Sequence, residues 1–74
     1  MNYYKVNYLK IKDLREAHGF SRRDMANMLH ISEFSYRDKE QGHRGFTLEQ
    51  LLNISLYLGV KLEDLIEQQQ INIF

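Results

Sequence analysis

Apolar residues recur at helical spacing along most of the chain, and capping residues mark the ends of the predicted helices. The first helix is predicted over residues 9–17, and Gly19 follows it at a position that suits a C-cap. Ser21 is a suitable N-cap for a second helix over residues 22–29, with Asp24 as the partner residue of a capping box. The pattern therefore predicts two helices joined by a short connection.

The same signals predict two further helices. Ser32 is placed to cap a helix that continues to about Glu40 and ends before Gly42. Thr47 is placed to cap a fourth helix, which Gly59 terminates. The apolar stripe of this fourth helix is predicted to comprise Leu48, Leu51, Leu52, Ser55 and Leu58.

The two ends of the chain show a more mixed pattern. A fifth helix is predicted over residues 62–68, with Leu65 and Ile66 buried. Residues 4–8 and residues 71–73 alternate apolar and polar side chains, which is the period of a β-strand. The predicted fold class is all-α, with five short helices and with short terminal β-strands as an option.

Length and composition agree with one small domain. The 74 residues predict a single domain over 1–74, with a core at 9–68 and tails at 1–8 and 69–74. The absence of cysteine excludes a disulfide framework and thiolate metal sites. No apolar run reaches the roughly 18 residues of a membrane span, and the N-terminus lacks the pattern of a secretory signal. We therefore expect a cytoplasmic protein with no membrane association.

The sequence gives no support for catalysis or for a bound cofactor. No serine, histidine and acid stand at the spacing of a known catalytic motif, and there is no glycine-rich loop of the kind that holds phosphate. His18, His30 and His43 have spacings that match no metal-ligand motif. We expect a protein that is not an enzyme and that needs no cofactor and no metal ion.

Charge is balanced overall but unevenly distributed. Ten Lys/Arg residues offset ten Asp/Glu residues, so the formal net charge is +0, whereas nucleic-acid-binding proteins are usually basic. Residues 1–46 hold nine of the basic and six of the acidic residues, and residues 47–74 hold one and four. Because local charge decides contacts with phosphates, the balanced net charge does not exclude binding of nucleic acid at the basic end.

Residues 20–42 carry the most informative pattern. The predicted helices at 22–29 and 33–41 are joined by the short turn His30-Ile31-Ser32, which is the arrangement of a helix-turn-helix unit. The second helix of such a unit can enter the DNA major groove. Its N-terminal residues then meet the base edges while the first helix crosses the backbone.

Residues 11–67 resemble the lambda-repressor-like, Cro-type helix-turn-helix family of transcriptional regulators. The matching runs are IKDLREAHGFSRRDMANMLHIS, the E-x-G of EQG, and FTLEQLLNISLYLGVKLEDLIE. The resemblance implies a fold of five helices, sequence-specific binding to double-stranded DNA, and usually a symmetric homodimer on a palindromic operator.

The resemblance also implies roles for individual side chains. It implies base-facing positions at Ser32, Glu33, Phe34, Ser35, Arg37 and Asp38, and phosphate-facing positions at Arg22, His43 and Arg44. Glu33 could accept a hydrogen bond from a cytosine amino group, and Phe34 could pack on a thymine methyl. Arg37 could make a bidentate contact with guanine or could bind a phosphate.

Five residues depart from the family pattern in three ways. Glu33 and Asp38 place acidic groups on the surface that must approach DNA. His30 stands where the family turn usually has glycine, and a left-handed backbone conformation is less favourable for histidine than for glycine. Tyr36 and Lys39 occupy core positions, so Lys39 would have to direct its ammonium out past the core.

Several candidate residues also have simpler interpretations. Phe34 can contact a base, belong to a protein interface or lie partly in the core. Arg22 can belong to a solvated helix face, and His43 can be an ordinary loop residue. The apolar ends are predicted to pair as short strands, within one chain or across a homodimer, unless the last four residues are disordered. These apolar residues are Tyr4, Val6, Tyr8, Ile71, Ile73 and Phe74.

The leading hypothesis is a DNA-binding transcriptional regulator, a repressor of the phage or mobile-element type that binds operator DNA as a dimer. The alternative is a protein-interaction module on the same fold, such as an antirepressor, an antitoxin or an inhibitor of a host protein. Glu33 and Asp38 discriminate between the two hypotheses. Their negative charge disfavours DNA binding unless the positive charge of the nearby arginines outweighs it, whereas it would favour a basic protein partner.

Overall fold

The computed structural model describes residues 2–70, with side chains described for residues 5–67. Four α-helices lie between two short strands, and a single turn of 3-10 helix precedes the second strand. In chain order the elements are β1 (Asn2–Val6), α1 (Tyr8–Ala17), α2 (Arg22–Leu29), α3 (Glu33–Glu40), α4 (Leu48–Leu58), the 3-10 turn (Leu62–Leu65) and β2 (Ile66–Gln70). Among these elements, no helix is long and apolar enough to cross a membrane.

The helices begin at the predicted capping residues. Ser21 and Thr47 each accept a hydrogen bond from the backbone N–H three residues later, and the side chains of Asp24 and Gln50 each accept one in return. Ser32 caps α3 through the same kind of bond. These bonds satisfy donors that a helix N-terminus leaves unpaired. The predicted starts of α2, α3 and α4 are confirmed.

The predicted fifth helix over residues 62–68 is wrong. The chain forms one turn of 3-10 helix, Leu62–Leu65, and then continues as β2. Pairing with β1 gives the backbone from Ile66 onward the hydrogen-bond partners that a helix would have supplied internally. Leu65 is buried as predicted, whereas Ile66 is only half-buried. The chain is mostly helical as predicted, but the five predicted helices are corrected to four α-helices and one turn of 3-10 helix, accompanied by a two-stranded sheet.

The N-terminal strand exists but lies earlier than predicted. β1 ends at Val6, because the Asn7 side chain caps α1 by accepting a hydrogen bond from the N–H of Lys10 at 3.1 Å. Tyr8 therefore belongs to the helix. β1 pairs antiparallel with β2 of the same chain, so its observed partner is the segment Ile66–Gln70 and not the apolar end that was predicted to pair with it. The strand predicted at 71–73 lies outside the described residues, and the single domain over 1–74 stays a prediction.

The hydrophobic core lies between the four α-helices and the 3-10 turn. Its buried side chains are Ile11, Met25, Ala26, Leu29, Tyr36, Leu51, Ile54, Leu58 and Leu65. The predicted stripe of α4 is wrong at three positions, because Leu48 and Leu52 are 65% and 43% exposed while Ile54, which was left out, is fully buried. Residues 51, 54, 55 and 58 form the inner face at helical spacing. Leu48, Leu52 and Leu56 consequently share the outer face.

A buried ion pair joins α1 to α3. Arg15 Nε and Nη2 donate to the two carboxylate oxygens of Glu40 at 2.8 and 3.1 Å, and the Tyr36 hydroxyl donates to Glu40 Oε2 at 2.6 Å. Arg15 Nη1 donates to the Phe20 carbonyl at 2.8 Å. Burial opposes ionisation of Glu40, but the hydrogen bonds from Arg15 and Tyr36 outweigh it. They hold the pKa of Glu40 below its ordinary value of 4.5.

The turn between α2 and α3 contains a residue with left-handed backbone. His30 has φ 58° and ψ 40°, and its N–H donates to carbonyls in the last turn of α2. A Cβ in this conformation approaches the following carbonyl oxygen, which costs free energy in every residue except glycine. The left-handed backbone that the sequence suggested for His30 is confirmed.

We expect Glu40→Gln to lower the free energy of unfolding by about 3 kcal/mol, because it leaves the buried Arg15 guanidinium without its counter-charge. Equilibrium unfolding in urea measures this change. Glu16→Gln, on the exposed side of α1, is the matched control and should alter the free energy by less than about 0.5 kcal/mol. Equal effects of the two substitutions would contradict the structural role of the ion pair.

The same ion pair generates a dependence on pH. Because folding lowers the pKa of Glu40 from 4.5, the unfolded chain binds more protons than the folded chain below that pH. The contribution of Glu40 to stability is therefore present above pH 4.5 and is lost as the pH falls through the folded pKa. Urea unfolding between about pH 6 and about pH 3 should show a steeper loss for the wild type than for Glu40→Gln. Parallel curves would exclude Glu40 as the titrating group.

Replacement of His30 with glycine should raise the free energy of unfolding by about 1 kcal/mol, since it removes the Cβ from a left-handed position. His18 provides the control. It ends α1 with right-handed backbone, at φ −83°, so His18→Gly should lower the stability instead. Urea unfolding of both variants tests the difference in sign, and a less stable His30→Gly protein would refute the expectation.

Candidate nucleic-acid interface

Helix α3 divides into a buried face and an exposed face. Tyr36 and Glu40 lie four residues apart and therefore point the same way, into the core, with 0% and 4% exposure. Glu33, Phe34 and Arg37 lie on the outside, and Phe34 is 61% exposed. Of the interpretations left open for Phe34, burial in the core is excluded. The ion pair behind α3 fixes this helix without using any side chain of its outer face.

Two outward side chains of α3 form a cation–π pair. The Cζ of Arg37 lies over the Phe34 ring, 4.8 Å from its centroid. Residues three apart are neighbours on a helix surface, and a guanidinium over an aromatic face makes a cation–π contact. None of the ion pairs found among the described residues includes Arg37. Its charge is therefore held in place by an apolar ring and is not cancelled by a carboxylate.

Arg22, the first residue of α2, lies beside this pair. It lines one shallow groove together with Glu33, Phe34 and Arg37. Its Nε lies 3.5 Å from Oε1 of Glu40, whose side chain is 1% exposed, whereas the Arg22 side chain is 36% exposed. The buried carboxylate thus holds the guanidinium from the core side and leaves its other side open to solvent.

The loop that follows α3 folds back onto the helix. The backbone N–H groups of His43 and Arg44 both donate to the Asp38 carbonyl, at 2.9 and 3.3 Å. Arg44 Nη1 donates to Ser35 Oγ at 3.5 Å, and Arg44 Nε lies 3.8 Å from Asp38 Oδ2. These contacts place Arg44 beside Ser35 and Asp38, on a side of α3 that faces away from the buried Tyr36 and Glu40.

Both acidic residues on the outer part of α3 have basic partners. Arg23 Nε lies 3.5 Å from Glu33 Oε2, and Arg44 pairs with Asp38. Because each carboxylate faces a guanidinium, the local potential is less negative than the sequence alone suggests. The Lys39 ammonium leaves the core as predicted and donates to the Gly45 carbonyl at 2.8 Å.

The sequence-predicted site residues form one connected set around α3. The shallow groove is lined by four of them, Arg22, Glu33, Phe34 and Arg37. The loop contacts join four others, Ser35, Asp38, His43 and Arg44. Ser32 uses its hydroxyl oxygen to cap α3 and keeps its hydroxyl hydrogen for donation. Within the part of the chain that the structure describes, no group of three His, Cys, Asp or Glu residues is arranged to hold a metal ion.

Sequence reasoning missed the residues that support this surface. Arg15 and Glu40 were not singled out, although each lies four residues after a core residue, Ile11 and Tyr36. A charged side chain at such a position faces the core and needs a partner there, so the helical spacing could have indicated a buried ion pair. The partnership of Arg23 with Glu33 had no comparable signal, because it depends on the angle between α2 and α3.

Comparisons with known proteins agree with this geometry. A helix-turn-helix family model matches residues 11–65, which run from α1 to the 3-10 turn. A protein of Pyrococcus abyssi (strain GE5 / Orsay), named as an HTH-type transcriptional regulatory protein, is 38% identical over 52 residues. The match covers 70% of this chain but 16% of that relative, so the chain corresponds to a small part of the relative's length. From its described helices and these matches, the chain belongs to the lambda-repressor-like, Cro-type helix-turn-helix family.

Proposed function

We propose that this protein is a sequence-specific DNA-binding transcriptional regulator. Its recognition helix is α3, which enters the major groove with Phe34 and Arg37 directed at base edges. Arg22 and Arg44 bind phosphates on the two sides of α3. The observation that carries the proposal is the outer face of α3, which is exposed, flanked by these two arginines, and has its own carboxylates paired with basic groups.

The remaining polar residues have supporting roles in this proposal. Ser32 and Ser35, at the N-terminal end of α3, can donate hydroxyl hydrogens to base edges or phosphates. Glu33 can accept from a cytosine amino group when it leaves Arg23. Asp38 positions Arg44, and His43 adds a contact to a phosphate. The name of the P. abyssi relative supports a regulatory role.

We propose repression as the direction of regulation. A protein that occupies DNA near a promoter can exclude RNA polymerase by its volume alone, without a further contact. The assignment to the phage or mobile-element type rests on the likeness to the lambda-repressor-like family.

We also propose that the protein binds its operator as a homodimer. A single helix-turn-helix unit makes few base contacts, and two copies on half-sites about one DNA turn apart supply more. The outer face of α4 is the proposed contact, because Leu48, Leu52 and Leu56 are exposed in a row along it. The terminal strands β1 and β2 already pair with each other, so α4 is preferred over the tails.

DNA binding is tested by fluorescence anisotropy with a pool of duplex fragments that includes the DNA upstream of the protein's own gene. Arg22→Ala should weaken binding to all fragments alike, because a phosphate contact carries no sequence information. It should also reduce the log–log salt slope by about 0.9, the value for one phosphate. Lys61→Ala removes one positive charge at the acidic end and is the matched control, with little expected effect.

Two results would count against this proposal. If no fragment binds better than random DNA at low salt, α3 does not read base sequence. The protein-interaction alternative would then replace DNA recognition, with a basic partner facing Glu33 and Asp38. If Lys61→Ala weakens binding as much as Arg22→Ala does, the DNA does not lie against α2 and α3.

The homodimer is tested by sedimentation equilibrium. Leu56→Lys should shift the protein toward the monomer, because it places two ammonium groups in an apolar contact. Leu56 is 80% exposed, so the fold should tolerate the change. Leu9→Lys is the matched control, since Leu9 is 66% exposed on α1, and it should leave the mass distribution unchanged. Identical distributions for Leu56→Lys and the wild type would exclude α4 as the dimer contact.

A further inference from the structure

We infer that the cation–π pair of Phe34 and Arg37 reads one two-base-pair step, a 5-methylpyrimidine next to a guanine. In this step Phe34 covers the methyl group, and Arg37 donates to the O6 and N7 atoms of guanine. The inference rests on the proposed function, because it names the bases that the same surface of α3 recognises.

The first support is the restraint on Arg37. Its guanidinium lies over the Phe34 ring at 4.8 Å from the centroid. A guanidinium carries five N–H donors, and a cation–π contact with one ring uses none of them in a hydrogen bond. Because the ring restrains the side chain before DNA arrives, less conformational entropy is lost when a bidentate contact forms. Guanine is the base whose major-groove edge offers two acceptors side by side.

The second support is the apolar surface that Phe34 presents. The side chain is 61% exposed, and Arg37 lies over one face of its ring. In the major groove, the 5-methyl group of thymine or of 5-methylcytosine is the apolar group that protrudes furthest, whereas most of the remaining edge consists of donors and acceptors. Covering a donor or acceptor with a ring that offers no hydrogen bond costs free energy. The ring therefore selects a methyl group.

The third support is the distance between the two side chains. Successive bases of a DNA strand are about 3.4 Å apart along the helix axis. The separation of 4.8 Å between Arg37 Cζ and the Phe34 centroid is closer to one such step than to two. A separation of this size allows the two groups to face neighbouring base pairs, so we place the methyl group and the guanine in one step.

The surrounding charges leave Arg37 available for this contact. Glu33 is engaged by Arg23, and Asp38 is engaged by Arg44. Arg22 lines the same groove as the cation–π pair and is the candidate for the adjacent phosphate. Arg37 is thus assigned to a base edge and Arg22 to the backbone.

The experiment begins with selection of binding sites from random duplex DNA, followed by anisotropy titration of modified versions of the selected site. One pair of duplexes carries thymine or uracil beside the guanine, and a second pair carries 5-methylcytosine or cytosine. Within each pair only the methyl group differs. We expect its removal to weaken binding about fourfold, the equivalent of burying one methyl group. Replacing the guanine with 7-deazaguanine, which lacks N7, should weaken binding about tenfold.

Two variants tie these effects to the two side chains. Phe34→Ala should abolish the difference between thymine and uracil but keep the response to 7-deazaguanine. Arg37→Ala should abolish the response to 7-deazaguanine. Both positions are exposed, and circular dichroism will verify that the variants remain folded. Lys10→Ala, an exposed cation on α1, is the control and should keep both responses.

The outcomes separate this inference from the proposed function. A fourfold preference for the methylated member of either pair supports the inference. Whichever of the thymine and 5-methylcytosine duplexes the protein binds with higher affinity identifies the natural source of the methyl group. Equal affinities within both pairs, or a selected site without a pyrimidine beside guanine, would overturn it while sequence-specific binding stands. If no selected duplex competes better than random DNA, the proposed function and the inference both fail.

Discussion

The carboxylate of Glu40 is the group on which the arrangement of α1, α2 and α3 depends. It is buried on α3, receives two hydrogen bonds from Arg15 of α1 and one from Tyr36, and lies 3.5 Å from Arg22 of α2. An isolated charge in a protein interior is strongly unfavourable, so this carboxylate depends on the hydrogen bonds from Arg15 and Tyr36, and Arg22 adds a more distant opposite charge. A shift of any one helix would separate a charge from its partner. The cost of that separation fixes the angle at which α3 is presented.

The outer face of α3 depends on that support but is organised by separate contacts. Phe34 holds Arg37, and the loop after α3 is bonded to the Asp38 carbonyl through two backbone N–H groups. Arg44 is thereby placed against Ser35 and Asp38. Most of the exposed arginines around α3 thus have a defined position in the free protein, and the groups proposed to contact DNA are arranged before it binds.

Local features of the fold were predictable, and contacts between distant residues were not. Capping bonds span three residues, so Ser21, Ser32 and Thr47 marked their helices correctly. Residues 62–68 read as a helix because their apolar spacing allows one, yet β2 forms there through pairing with β1 at the other end of the chain. The candidate site shows the same division. The motif indicated Phe34, Arg37 and Arg44 as neighbours on one surface, but which arginine meets which acid depends on the angles between helices.

The pairing of arginines with the acids of α3 bears on how such a regulator would search a genome. With a formal net charge of +0 and much of its local positive charge already balanced, such a regulator would attract the phosphate backbone only weakly at a distance. Bulk chromosomal DNA would therefore retain few copies, and most of them would stay free in solution. Occupancy of the correct site would then be set by how long the fitted complex lasts, rather than by the number of competing sites along the genome.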